Sequence, residues 1–391
     1  MTHPTQATEV VVIGGGYAGT LAANRLHTRP GVEVTLVNPR SCFVERIRLH
    51  QLAAGSSRAT VDYATMLHPG VRLVVDTAAS IDVQGRRVVL VSGGELSYDY
   101  LIYAVGSTAD AGAVPGAATY AHRIAEYEHA QRLRDRLGDL PPGAAVCVVG
   151  GGLTGVEVAA ELGQYRPAGA VTLICGGTLG PHLSAAGRRS VSRQLRRIGV
   201  RVLETSTVAQ VRQRSVLLAD GHELPSAVTV WAAGFGVPDV AARSGLSTDA
   251  IGRLITDETL TSVDDERIVG AGDAAAPSHR PLRMSCQAAL PLGAQAANTV
   301  LSRIMGSDPA VLSQAFTGQC ISLGRSLGTI QLSHTDDTPR RIYVGGRTAA
   351  WVKELICKGT VSFITREARR PGSYFWLRGG RRPLGAGAVV S

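Results

Sequence analysis

The sequence predicts an α/β protein built from two Rossmann-like dinucleotide-binding domains and a small C-terminal α+β region. Three observations predict this. The segments VVVIGGGYAGTLAANRL (Val10–Leu26) and VCVVGGGLTGVEVAAEL (Val146–Leu162) each pass from a valine-rich run through a glycine turn into a helical pattern. Each is followed by a further apolar run, VEVTLV at Val32–Val37 and AVTLICGG at Ala170–Gly177, completing a strand–helix–strand unit. After Pro309 the pattern changes to short β-prone runs, CISLG, GTIQLS and RIYVGG, then to an amphipathic helix from about Ala349 to Arg369.

In the first unit, Glu9–Ile13 reads as a buried parallel strand, and Gly14, Gly16 and Gly19 form GxGxxG before the helical positions Leu21, Ala22 and Leu26. Gly14 permits the tight turn, Gly16 lets backbone N–H groups approach a pyrophosphate, and Gly19 lets helix and strand pack closely. The helix N-terminus then stabilises phosphate charge. The residue ending the second strand, normally an acid that accepts from an adenosine ribose, is Asn38. Its amide carbonyl still accepts one ribose hydroxyl, without a carboxylate's charge.

The second unit supplies Gly150, Gly152 and Gly155, then a helix carrying Glu157 and Glu161 one turn apart. At the end of its second strand stand Cys175, Gly176 and Gly177 in place of the acid that holds a 2′-hydroxyl. The carboxylate that repels a 2′-phosphate is missing, and Arg188 and Arg189 follow, so NADPH is expected to be tolerated. The same arginines also read as the solvated face of a helix. Two such units in one chain point to two dinucleotides brought face to face, the usual purpose being hydride transfer from a nicotinamide to a flavin.

Composition sets limits on the partners. Hydrophobic residues at 45% and charged residues at 18% fit a globular chain, and 391 residues exceed what one core usually organises. The formal charge is +9, and between Lys353 and Arg382 eight Lys and Arg face two Glu. That excess suits a polyanion, an anionic membrane surface or phosphate-bearing ligands. No zinc-finger spacing or RNA-binding aromatic motif is present, so a nucleic-acid partner is not expected. The six cysteines, at 42, 147, 175, 286, 320 and 357, form neither CxxC nor CxxxxC, which predicts a reduced cytoplasmic setting. The opening MTHPTQATE has no basic region followed by an apolar core, and no run reaches the roughly 18 apolar residues of a membrane span.

Four further segments resemble the FAD-dependent pyridine nucleotide oxidoreductases with tandem nucleotide-binding domains. YDYLIYAVGS (Tyr98–Ser107) and VTVWAAGFGVPD (Val228–Asp239) look like that family's outward and return crossings between domains, with Gly106 and Gly234 allowing close backbone passage beside a cofactor. RIVGAGDAAA (Arg267–Ala276) is similar to the late FAD signature, in which Asp273 would bind the ribityl or pyrophosphate region. GGGLTGVEVAAEL is similar to the signature of type II NADH:quinone oxidoreductases and apoptosis-inducing-factor-like quinone reductases. The resemblance covers about residues 8 to 300. It implies FAD and NAD(P)H as cofactors, with 1–110 and 241–310 as the two parts of the FAD domain, 111–240 as the NAD(P)H domain and 311–391 as the C-terminal domain.

By the same resemblance, Glu157 lies near the nicotinamide and flavin; a helix-surface carboxylate near the N-terminal dipole is the alternative. MSCQAALPLGAQAANTV (Met284–Val300) stands where quinone-reducing members carry an Ala-Gln-rich motif. It keeps Gln287 but has Pro291 and Leu292 where a second glutamine belongs. Gln287 is a candidate for a quinone carbonyl or flavin edge, or for a local backbone cap. Phe43, Glu45, Arg46, Arg48 and His50 follow the ribose strand and are either cofactor neighbours or an amphipathic surface helix. Cys42 lacks the partner and context of a redox thiol, and Cys175 with Cys357 is a weak imitation of the separated cysteines of sulfide:quinone oxidoreductases. GSTADAGAVPGAATYAHRI (Gly106–Ile124) reads as the hinge between domains.

The expectation is therefore an NAD(P)H:quinone-type flavoprotein oxidoreductase, with Lys353 and Lys358 favouring an anionic reduced flavin or acceptor. Two alternatives stay open, a soluble tailoring flavoprotein acting on a specialised metabolite and a low-turnover flavin- or nucleotide-binding regulator. The basic, aromatic tail with Trp351, Phe363, Tyr374, Phe375 and Trp376 fits peripheral contact with the inner face of a membrane, a homodimer interface or a solvated face.

Overall fold

The structure, a computed structural model, describes residues 7–379. The last dozen residues, which the sequence reads as irregular, lie outside them.

Residues 10–13, within the strand Thr8–Ile13, and Val146–Val149 are continuous apolar runs because each strand is central in a parallel sheet covered on both faces. Around the first, the strand order is Ile268–Gly270, Tyr100–Tyr103, Thr8–Ile13, Val32–Asn38, Val71–Val75. Around the second it is Ala121–Arg123, Val228–Trp231, Val146–Val149, Val171–Ile174, Arg201–Leu203. The predicted crossing Tyr98–Ser107 thus contributes the Tyr100–Tyr103 strand to the first sheet, and the return crossing contributes Val228–Trp231 to the second. Between sheets the two crossings pair, with Thr108 N donating to Gly236 O at 2.8 Å and Gly236 N to Thr108 O at 3.0 Å.

The helix Tyr17–Leu26 leaves the first glycine turn with Leu21, Ala22 and Leu26 fully buried. It packs against the long helix Cys286–Ile304, where a Cβ on Gly293 would stand 2.2 Å from Ala18 O. That clash explains the small residue at the helix crossing.

The C-terminal strands Gly318–Ser322, Gly328–Ser333 and Pro339–Gly345 form an antiparallel sheet, followed by the 24-residue helix Gly346–Arg369. This region joins both lobes, since Leu312, Phe316 and Ile364 belong to the core around Leu21 while Ile321 and Leu323 belong to the core around Val148. The end of the long helix is anchored by Glu367, whose fully buried carboxylate accepts from Arg25 Nη1 at 3.0 Å and from the backbone N–H groups of Gly372 and Tyr374. Of the tail aromatics, Trp351, Phe363 and Phe375 are exposed. Trp376 is held instead, by a bond from its Nε1 to Ser313 O and by the Arg25 guanidinium over its ring, and Tyr374 stacks on it.

Candidate active site

The two glycine turns are built alike. Gly14 and Gly150 have φ of +102° and +127°, and a Cβ on either would strike the next crossing strand, at Ala104 O (2.3 Å) or Ala232 O (2.7 Å). A Cβ on Gly19 or Gly155 would lie 1.9 Å from the carbonyl of Gly14 or Gly150, so helix and turn touch there. Gly16 and Gly152, the residues capping each helix N-terminus, have nothing within 4 Å of that position. Backbone and helix dipole are open on that side to an anion.

In the first unit Asn38 is a brace for the turn. Its Oδ1 accepts from Gly15 N at 3.0 Å and its Nδ2 donates to Arg40 O at 2.7 Å. Tyr63, which sequence reasoning missed, donates its hydroxyl to Gly15 O at 2.5 Å. Asp273, in the 3-10 turn Gly272–Ala274, accepts from Ser107 Oγ at 2.8 Å, and Ser107 in turn accepts from Arg46 Nη1 at 3.2 Å. Gly106 has φ +73° with Arg46 beside it, and Gly234 has φ +72° against Asp110 O. Arg46, Ser107 and Asp273 thereby join the two ends of the first nucleotide domain.

The three lobes converge on Glu157. Its helix, Leu153–Tyr165, follows the second glycine turn, and its carboxyl side chain is only 12% exposed, so it is not a surface carboxylate. Lys353, from the C-terminal helix, donates to Glu157 Oε1 and, at 3.2 Å, to Cys320 O. Ser322 N also donates to Oε1, at 2.8 Å, and His50 Nδ1 stands 3.8 Å from Oε2. Burial pushes the Glu157 carboxyl up, but Lys353 and the Ser322 N–H outweigh it and hold the group below its ordinary value. Burial pulls the Lys353 ammonium down, yet Glu157 draws it above its ordinary value. His50 is lowered to about 4, chiefly by burial against the partial pull of Glu157, so its imidazole is neutral at pH 7.

One turn on, Glu161 is fully buried, accepts from Ser56 Oγ at 2.8 Å and is pushed up by burial. Its Oε2 and His50 Nε2 are buried without a hydrogen-bond partner. Arg48 ties the same junction from outside, donating to Glu45, to Gln51 and in a fork to both Glu354 oxygens at 2.9 and 3.0 Å. The segment after Asn38 is therefore packed into the junction and is not a surface helix. Lys353 and Lys358 separate: the first is buried, while the second is largely exposed beside Glu354.

Gln287 opens the Cys286–Ile304 helix with its amide 2.6 Å from the Thr317 hydroxyl. Arg188, on the helix Ala185–Arg197, donates to Leu183 O at 3.3 Å, and Arg189 is exposed. All six cysteines are free. Cys175 lies beside Gly151 and Glu204, whereas Cys286, Cys320 and Cys357 surround Lys353. Burial pushes the Cys320 and Cys357 thiols up to about 11 and Cys175 up to about 12. None of these three rests as a thiolate at neutral pH.

Residues 8–293 match the pyridine nucleotide-disulphide oxidoreductase family. An NADH dehydrogenase-like protein of Mycobacterium tuberculosis is 30% identical over 381 residues, covering 89% of this chain and 93% of the relative. The type II NADH:quinone oxidoreductase of Haemophilus influenzae is 26% identical over 329 residues, covering 68% of this chain and 73% of the relative. In fold, the sulfide:quinone oxidoreductase of Aquifex aeolicus superposes with a TM-score of 0.79 at 21% identity, covering 92% of each chain. The chain belongs to the pyridine nucleotide-disulphide oxidoreductase family, and FAD and NAD(P)H are its cofactors.

Proposed function

We propose that this oxidoreductase takes a hydride from NAD(P)H and delivers two electrons to a quinone-like acceptor. The observation that carries the reading is the buried Glu157–Lys353 pair, where both nucleotide lobes and the C-terminal region meet with no thiolate among them. Gly14, Gly16, Gly19, Asn38, Gly106 and Asp273 would hold FAD; Gly150, Gly152, Gly155 and Gly234 would hold NAD(P)H, with Arg188 and Arg189 flanking its lobe. The open cradles at Gly16 and Gly152 and the unpartnered buried atoms of His50 and Glu161 fit such occupants. When bound, the flavin supplies hydride acceptance and two-electron release.

The chain's own residues do the rest. Lys353 has three N–H donors, of which Glu157 and Cys320 take two, so a charged donor is held at a dry junction. Its positive charge stabilises negative charge that develops on a reduced partner. Glu157 keeps Lys353 protonated and in place, and neutral His50 adds no competing charge. Gln287, beside Thr317 at the start of its helix, is the proposed polar contact for the acceptor.

The acceptor would reach the protein at an anionic membrane surface. Trp351, Leu355 and Phe363 are exposed on the basic C-terminal helix, and among the described residues no helix is long and apolar enough to cross a bilayer.

Anaerobic stopped-flow of the holoenzyme tests the function. NADH or NADPH should bleach the flavin and a soluble quinone should restore it. Lys353→Met should slow turnover by about tenfold to a hundredfold while nucleotide still binds. Nucleotide binding without bleaching would overturn the enzyme reading and leave a regulator. Restoration by an acidic ferredoxin but by no quinone would overturn the acceptor, and restoration only by a larger quinonoid metabolite would favour the tailoring enzyme.

A further inference from the structure

The internal repeat locates the ribose position of the second nucleotide unit. A Cβ on Gly15 would meet Asn38 Cγ at 2.9 Å, and a Cβ on Gly151 would meet Cys175 Cβ at 2.8 Å. Cys175 therefore stands in the second unit where Asn38 stands in the first, and it carries no acceptor suited to a ribose hydroxyl.

A carboxylate nevertheless reaches this place from the next strand. Val171–Ile174 pairs in parallel with Arg201–Leu203, with Ile174 opposite Leu203, so the residue following each, Cys175 and Glu204, are neighbours. Their loops are joined by Cys175 N to Leu203 O at 2.9 Å, Gly176 N to Ser206 O at 3.0 Å and Thr205 N to Gly177 O at 3.0 Å. Glu204 Oε2 accepts from Leu179 N at 3.0 Å, and one residue later Gly180 N donates to Gly151 O at 2.8 Å. Glu204 thus pins the loop that closes onto the second glycine turn. Its charge is felt at Cys175, whose thiol is pushed up by burial and further by Glu204. The two arginines that the sequence offered do not pair with it. Arg188 is turned to Leu183 O, and Arg189 is exposed on its helix.

We propose that Glu204 is the specificity-determining residue of the nucleotide site, supplying from the neighbouring strand the carboxylate that Cys175 lacks and selecting NADH against NADPH. The inference rests on the NAD(P)H reading above and reverses the NADPH tolerance that the bare sequence suggested. A 2′-phosphate placed beside Cys175 meets a fixed negative charge, whereas a 2′-hydroxyl meets an acceptor.

The test is the ratio of kcat/KM for NADH and NADPH in the holoenzyme, with binding of each nucleotide measured separately. Glu204→Gln keeps one oxygen for Leu179 N, removes the charge and turns the second oxygen into an N–H donor. Wild type should favour NADH by tenfold or more, and E204Q should raise kcat/KM for NADPH by roughly tenfold while that for NADH does not rise, so that the ratio falls by tenfold or more. The wild-type preference should also shrink as ionic strength rises, a readout that needs no variant. An unchanged ratio in E204Q, equal losses for both nucleotides or a salt-independent preference would overturn the proposal while leaving the oxidoreductase reading intact. Binding of neither nucleotide by wild type would overturn both.

Discussion

At the scale of single residues, the junction is organised by charges taken out of water. A buried carboxylate or ammonium alone is costly, and Glu157 and Lys353 are tolerable only because each satisfies the other and the backbone at Ser322 and Cys320 satisfies the remainder. His50 is the exception, being kept neutral by its burial. Its titration gives a pH signature of definite sign. Between pH of about 6.5 and about 4 the unfolded chain binds a proton at this histidine and the folded chain does not, so stability rises with pH in that window. The group should cost up to roughly 3 kcal/mol at the acid end. Thermal unfolding from pH 7 to pH 4.5 should therefore show a smaller loss of Tm for His50→Gln than for wild type. Equal slopes would mean that His50 titrates normally in the fold.

At the scale of the element, the two glycine turns separate what folding needs from what ligand binding needs. Gly155 faces Gly150 O, while Gly152 faces open space. Gly155→Ala must push the helix off the turn and should cost about 1–3 kcal/mol in denaturant unfolding without ligand. Gly152→Ala, at an ordinary negative φ of −74°, should cost less than about 0.5 kcal/mol yet weaken nucleotide binding at least tenfold, because the methyl group occupies the phosphate approach. Equal stability losses for both would refute the distinction. These elements were legible in the sequence because their determinants are local: apolar run, glycine spacing and helical period lie within about seventeen residues. The late strand Ile268–Gly270 was legible only through a resemblance, since three residues carry no periodicity of their own. Asn38 shows where local reading stops. Its place at the strand end was visible, but its service to Gly15 and the partnership of Tyr63 arise from chain folding back over the turn.

At the scale of the whole molecule, the candidate site is assembled where the lobes meet. Lys353 lies 196 positions from Glu157, and nothing in its own helix distinguishes it from Lys358 five residues on, one buried at the junction and one in solvent. Sequence could nominate Glu157 from its signature and both lysines from charge, but long-range packing chose between them. The same helix turns its other side outward, carrying Trp351, Leu355 and Phe363 with Lys358, Arg366 and Arg370 nearby. Exposed aromatics set among basic residues are the composition of an interfacial contact, in which each cation adds about 1 kcal/mol near an anionic surface and each buried ring adds hydrophobic area. The holoenzyme should therefore sediment with vesicles of mixed phosphatidylserine and phosphatidylcholine, lose most of that binding in 0.5 M salt, and bind phosphatidylcholine alone weakly. Trp351→Ser with Phe363→Ser should weaken the mixed-vesicle partition by about tenfold while leaving turnover with a soluble quinone unchanged, because neither ring touches Glu157, Lys353 or the glycine turns. Vesicle binding indifferent to lipid charge and to both substitutions would remove the membrane role from this face, and a monomer produced from a dimer by the same pair would reassign it to a contact between copies of the chain.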